Sequence, residues 1–134
     1  MGVTVDSSIL IDLLRGAPRP REAIAELEAK GLVPVLSTVA VFEVLSGVEY
    51  TRSRSERARV EILLRQIPIE PFGLDAARRA GEFRAELMKT GRTPGVPDLM
   101  IAGHALAAGH TLLTRDKALA EAGTSLGLAV KLLS

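Results

Sequence analysis

The chain is predicted to fold as a three-layer α/β/α sandwich, with a central, mainly parallel sheet of four to five short strands between two layers of helices. Two observations predict it. Short β-branched or aliphatic runs alternate along the chain with longer segments of helical spacing, the pattern of strand–helix units. The strands are apolar at consecutive positions, as in Val3-Thr4-Val5 and Leu112-Leu113, which suits a sheet buried on both faces rather than one facing water. The length of 134 residues, 47% of them hydrophobic, suits one packed core. With no internal repeat and no dividing linker, residues 1–134 are read as one domain.

The elements follow in order. Val3 to Val5 makes a first strand that ends at Asp6. Ser7 or Ser8 is expected to cap a helix carrying Ile9, Leu10, Leu13 and Leu14, with Gly16 and Pro18 stopping it. Pro20 restarts a helix at a first-turn position, with Ala23, Ile24 and Leu27 as apolar positions, and Gly31 closes it. Val33 to Leu36 is a second strand. Ser37 or Thr38 caps the next helix, with Val41, Phe42, Leu45 and Val48 apolar and Glu43 in its early turns. Ser53-Arg54-Ser55-Glu56 has capping-box spacing and opens a helix through Val60, Ile62, Leu63 and Leu64. Ile67 to Ile69 is a brief third strand. Leu74 to Met88 is the cleanest amphipathic helix, because Ala76, Ala80, Phe83 and Leu87 share one face. After the turn at Gly95-Val96-Pro97 come a helix from Asp98 to Ala108 and a strand from Thr111 to Leu113. A short helix, Lys117 to Ala122, and a strand, Leu128 to Leu132, finish the chain.

Composition excludes several function classes. The formal net charge of +1 gives no broad basic surface, so nucleic-acid binding must come from charge arrangement or from metal ions. The absence of cysteine removes disulfides, zinc–thiolate sites and a thiol nucleophile, and fits a reducing cytoplasm. No apolar run approaches the ~20 residues of a membrane span. The N-terminus lacks a basic region ahead of its apolar segment, so no signal peptide is expected.

In an open parallel sheet, ligands bind at the carboxyl ends of the strands. Asp6 follows the first strand, Asp116 follows the fourth, and Glu43 lies just beyond the second, within about two turns of its helix start. Asp98 opens the helix that leads into the fourth strand, and joins the others if that helix start lies on the same edge. Gathered carboxylates repel, by ~4 kcal/mol for a pair ~4 Å apart at an effective dielectric near 20. They therefore carry protons or hold a cation. Oxygen-only ligands favour a hard ion, Mg²⁺ or Mn²⁺, which activates water and steadies charge on a phosphodiester. The four acids are thus read as the active site of a metal-dependent nuclease. Each also has a plain structural use: Asp6 and Asp116 as helix caps, and Asp98 as a complement to a helix dipole. Glu43, between Phe42 and Val44 in an apolar stretch, is the hardest to explain that way.

Thr114 and Ser8 carry hydroxyls near the proposed edge that could orient a carboxylate or a water, with capping the simpler role for Ser8. Asp12 is read as an outer acid rather than a ligand. His104, six residues past Asp98, points off that face, and His110 sits in a turn; neither is assigned to metal. Arg92 and Arg115 are candidates for phosphate contact. Arg52, Arg54, Arg57 and Arg59 form a basic run, most simply a solvated face.

With these residues in view, the chain resembles a PIN-domain protein of the VapC toxin type over nearly its whole length. Val5-Asp6-Ser7-Ser8-Ile9-Leu10-Ile11-Asp12-Leu13-Leu14 resembles the family's first strand, acid and helix. Ser37 to Leu45 resembles its second acidic motif, and Gly91-Arg92 followed by Pro97-Asp98-Leu99-Met100-Ile101-Ala102 its third. Leu112-Leu113-Thr114-Arg115-Asp116 resembles the fourth. The resemblance implies a PIN-like fold and Mg²⁺- or Mn²⁺-dependent endoribonuclease activity on RNA. Asp6, Glu43, Asp98 and Asp116 match the family's metal-binding catalytic acids, and Thr114 its hydroxyl position. It further implies a homodimer and a VapB-like antitoxin whose C-terminal segment covers the site. The sequence departs from the family after Asp116, where Lys117-Ala118-Leu119-Ala120 stands in place of a common Phe.

Two other classes fit less well. A catalytically inactive PIN-like module binding RNA or protein would be expected to have lost some of the acids, and all four positions are filled. A phosphorylation receiver needs an acidic pair after the first strand and an Asp after the third, whereas Asp6 is followed by serines and Ile69 by Glu70-Pro71.

Overall fold

A computed structural model describes residues 1–92 and 95–133. Strand β1 (Gly2–Val5) leads into helix α1 (Ser7–Leu14). The cap of α1 is Asp6 rather than a serine: its carboxylate accepts a hydrogen bond from the Ser7 backbone N–H at 2.8 Å. Helix α2 (Pro18–Ala29) takes both Pro18 and Pro20 into its first turn. Pro18 therefore starts this helix instead of stopping the one before, as its missing N–H and set φ allow at a first-turn position. Strand β2 (Val33–Ser37) passes directly into α3 (Thr38–Thr51), and the Ser37 hydroxyl accepts from Val39 N–H at 3.2 Å.

Helix α4 (Arg54–Gln66) begins with half of a capping box. Ser53 Oγ accepts from Glu56 N–H at 3.3 Å, while the Glu56 carboxylate accepts from the Thr51 hydroxyl at 2.8 Å. Strand β3 (Ile69–Glu70) is displaced from the expected Ile67 to Ile69. Ile67 ends α4 and packs half-buried on the core, so ladder pairing starts only at Ile69, opposite Leu36. Helix α5 (Leu74–Lys89) buries the expected face, Ala76, Ala80, Phe83 and Leu87. Helix α6 (Val96–Ala108) starts two residues before Asp98, with Pro97 inside its first turn. Strand β4 (Thr111–Thr114), helix α7 (Lys117–Ser125) and strand β5 (Val130–Leu132) complete the fold. Leu128, expected in the last strand, is instead buried in the core ahead of it.

The strands form a sheet of order β3-β2-β1-β4-β5, and each pair is parallel. After β1 the chain builds outward through β2 and β3, then returns to add β4 on the other side of β1. The carboxyl ends of β1 and β4 thus flank the point where the winding direction switches, the usual place for a ligand in such sheets. Side chains alternate between faces. On one face Val3, Val5, Leu36 and Leu113 pack against Ile9 and Leu10 of α1, Leu27 of α2 and Val60 of α4. On the other, Leu112 packs with Phe83 of α5, Ile101 and Ala105 of α6 and Leu119 of α7. Helix α3 reaches both layers, with Val44 and Val48 in the first and Val39 and Ala40 in the second. Phe42, expected among its apolar contacts, faces outward and is 64% exposed.

Only Gly109 and His110 separate α6 from β4. So short a connection makes α6 run antiparallel to β4, and its first turn, with Asp98, comes to the carboxyl edge. Helices α5 and α6 pack backbone to backbone at Gly103. A Cβ there would lie 2.5 Å from Ala80 N and 2.6 Å from Ala76 O, atoms of a helix backbone with no freedom to yield. Gly103→Ala should therefore destabilise the protein by about 1–3 kcal/mol or more, read as a lower urea midpoint at unchanged m-value.

Candidate active site

Four acids and one hydroxyl lie toward the carboxyl edge, close enough for their charges to act on Asp98 and Asp6, and each is delivered by a different local device. Asp6 is the residue after β1 and remains in the ladder, its N–H donating to Leu113 O at 3.0 Å. The register that pairs Val5 with Leu113 places Asp6 beside Thr114. Thr114 is fully buried, and its hydroxyl donates to Asp6 Oδ2 at 2.7 Å while accepting from Asp116 N–H at 3.1 Å. Asp6 is 2% exposed, and both of its carboxylate oxygens are engaged, one by Ser7 N–H and the other by Thr114. Asp116 caps α7, with Oδ1 accepting from Leu119 N–H at 3.1 Å. Glu43 stands on α3 and Asp98 in the first turn of α6, both half-buried.

The carboxylates sense one another. Burial pushes the Asp98 pKa up to about 6, and the charges of Asp6, Glu43 and Asp116 add to the rise. Burial also raises the Asp6 pKa, against the lowering effect of the Thr114 and Ser7 hydrogen bonds, with Glu43 and Asp116 pushing it further up. Asp98 is thus within electrostatic reach of the other three acids named from the sequence, and Asp6 of Glu43 and Asp116. Glu43 Oε1 is buried with no hydrogen-bond partner. An orphaned carboxylate oxygen facing like charges is the donor a hard divalent cation satisfies, so the residues present fit such an ion.

Around the cluster, Arg115 Nη2 lies 2.7 Å from Asp12 Oδ2. The contact is a close ion pair without hydrogen-bond alignment, since Asp12 Oδ2 makes no hydrogen bond. It ties the loop between β4 and α7 to α1, giving Asp12 a positioning role and engaging one of the two arginines considered for phosphate. Arg57 of the basic run is paired with Glu49. An apolar groove runs from Glu43 between α1, α3 and α4, lined by Ile11, Val44, Val48 and Val60, with Arg59 at its rim. His104, placed off the Asp98 face from the sequence, is not among the charges that act on Asp6 and Asp98. It is buried and bonded to Glu70, a contact that no spacing in the sequence signals.

This fold and this carboxyl edge define a class. The profile of the PIN domain family matches residues 3–124, and the chain belongs to that family, a class of metal-dependent nucleases. Within it the chain resembles the VapC ribonucleases. It is 28% identical over 113 residues to Ribonuclease VapC2 of Rickettsia felis, covering 84% of each chain. It is 33% identical over 82 residues to the tRNA(fMet)-specific endonuclease VapC of Shigella flexneri, covering 60% of this chain and 62% of that one. The crystal structure of VapBC2 from Rickettsia felis, bound to a DNA fragment from its promoter, superposes with a TM-score of 0.80 at 25% identity, covering the whole of both chains.

The raised Asp98 pKa has a thermodynamic consequence. Asp98 binds its proton up to about pH 6 in the folded protein but only to about 3.8 when unfolded. The folded state therefore holds more protons between those values, and this contribution to stability falls as pH rises from about 4 to about 6. In excess chelator, the melting temperature of Asp98→Asn relative to the unsubstituted protein should accordingly increase from pH 4 to pH 6.5 and then level. A difference constant across that range would remove the electrostatic account of the cluster.

Proposed function

We propose that this protein is the endoribonuclease toxin of a VapBC-like toxin–antitoxin pair, using Mg²⁺, or Mn²⁺ in its place, to hydrolyse RNA phosphodiesters in the cytoplasm. The observation that carries the reading is the convergence of Asp6, Glu43, Asp98 and Asp116, with one buried oxygen of Glu43 unpartnered. The four acids are assigned as metal ligands and Thr114 as the residue that sets their geometry. When bound, the ion supplies positive charge to the scissile phosphodiester and acidifies the attacking water.

The chain's own residues supply the rest. Asp6 is locked in one orientation by Ser7 N–H and Thr114 Oγ1 before any substrate arrives, so no reorganisation is needed during the reaction. Thr114 couples that orientation to the Asp116 backbone, which keeps the fourth acid beside the first. The carboxylates accept the proton that the water loses as its oxygen bonds to phosphorus, while the ribose oxygen leaves and is protonated from solvent. Net acidity at the edge repels free RNA, so substrate binding depends on the cation as strongly as hydrolysis does.

The partners follow from the same surface. The apolar groove beginning at Glu43 offers a seat for the C-terminal segment of a VapB-like antitoxin, which would cover the acids while bound. Phe42 and Tyr50 on α3 and Ile62 on α4 are exposed apolar side chains, which supports a homodimer through these helices.

Purified protein should cleave RNA in Mg²⁺ or Mn²⁺ and stop in excess chelator; tRNA(fMet) belongs in the substrate panel because the Shigella flexneri relative is named for it. Asp98→Asn should lower the rate by at least ~100-fold, the scale of losing a principal electrostatic group, with the fold intact by circular dichroism. Undiminished cleavage by that variant would falsify the assignment. Thr114→Val should retain the fold yet lose ~10-fold or more in metal affinity, as losses of orienting partners do, read by calorimetric titration with Mn²⁺.

A further inference from the structure

Away from the carboxyl-edge acids, Glu70, His104 and His110 bring one oxygen and two nitrogens together. Glu70 ends β3, His104 lies in the middle of α6 and His110 in the turn before β4. Glu70 Oε1 is 2.9 Å from His104 Nε2 and 3.8 Å from His110 Nδ1, and the three atoms lie within 4.8 Å of one another. Both imidazoles are nearly enclosed, with side chains 6% and 10% exposed, whereas Glu70 is 39% exposed and opens the cluster to solvent.

We propose that Glu70 Oε1, His104 Nε2 and His110 Nδ1 form a metal site for Zn²⁺, separate from the acidic cluster and independent of the nuclease reading. Zinc bonds of ~2.0–2.2 Å in a tetrahedral arrangement separate ligand atoms by roughly 3.4 Å. The two carboxylate–imidazole distances here, 2.9 and 3.8 Å, bracket that value, so small side-chain rotations complete the geometry. Two imidazoles and one carboxylate suit zinc or a neighbouring late transition ion, and are too nitrogen-rich for Mg²⁺.

The surroundings favour ligation over a simple buried hydrogen bond. A single His104–Glu70 bond would not require the second ring. His110 is nonetheless held in a fitted niche: a Cβ on Gly2 would lie 2.7–2.9 Å from its ring atoms. Thr4 Oγ1 lies 3.0 Å from His110 Nδ1, and in the tautomer where Thr4 donates, that hydroxyl occupies the Nδ1 lone pair. That hydroxyl must give up the nitrogen when the ion enters. A surface hollow lined by Pro71, Leu74, Ala76 and His104 lies beside the His104 ring. The ion would pin β3, a two-residue edge strand, to the helix whose first turn carries Asp98.

The chain contains two histidines and both lie in this cluster, so histidine resonances report on it and never on the four acids. Untagged full-length protein labelled with ¹⁵N-histidine, stripped of metal and titrated with Zn²⁺, should show both rings move to metal-ligated ¹⁵N shifts, complete at one equivalent per site. Glu70→Gln should weaken that binding by more than the ~10-fold typical of losing an outer-shell partner. Ring nitrogens that stay unmoved with Zn²⁺ in millimolar excess would overturn the proposal, and this reading on the unsubstituted protein needs no variant to fold. Equal affinity in Glu70→Gln would overturn the carboxylate's part in it.

Discussion

The hydrogen bond from Thr114 to Asp6 is the contact on which the carboxyl edge depends. It joins the two strands at the switch point of the sheet and is set by backbone register, because Val5 pairs with Leu113 and the next residues are Asp6 and Thr114. A slip of one residue in β4 would turn Thr114 to the opposite face and break its bond to Asp6. Leu112 and Leu113 are fully buried in opposite layers, so both faces of β4 are apolar, and it is the Thr114–Asp6 bond that a slipped register would lose. Placement of Asp116 follows from the same hydroxyl, which accepts its N–H. Two acids are thus aligned through one buried hydroxyl.

The cost of this arrangement is electrostatic. Asp6 is taken out of water at the centre of the sheet, and its two hydrogen bonds offset only part of the desolvation, since its pKa remains raised. Asp98 is pushed up to about 6 for the same reason, with three like charges adding to it. The aliphatic layers on both faces supply the stability that such a site consumes; each fully buried Leu or Ile contributes about 1.5–3 kcal/mol. Keeping charge repulsion and an unpartnered Glu43 oxygen at an edge where a ligand is expected points to function rather than to folding. The neighbouring groove and the outward-facing Phe42 extend the same division: the core side of α3 holds the sheet, and its other faces are left uncovered.

Much of this was legible in the residues. The α5 face of Ala76, Ala80, Phe83 and Leu87 follows from helical spacing alone, because one amphipathic face has one way to be buried. The four acids could be named because each stands next to a strand end or a helix start. Less local features were not legible. Pro18 and Pro20 both satisfy the rules for a helix start, and only packing decides that the earlier one begins α2. Ile67 and Ile69 read equally well as strand, but pairing with Leu36 selects the latter. Phe42 looks like core in a helix apolar nearly all round, and the sheet covers only part of that circumference.

The sequence by itself determined the alternation of strands and helices, the buried faces and the identity of the acids, because these depend on spacing within a few residues. Tertiary structure alone decided which charges became neighbours. The two-residue link from α6 to β4 brings Asp98 to the edge of Asp6 and Asp116. The ion pair of Asp12 with Arg115 and the meeting of Glu70 with His104 and His110 join residues far apart in the chain. No local periodicity encodes such contacts; they exist only once parallel pairing has fixed the order and register of the strands, and with them the seats of the helices.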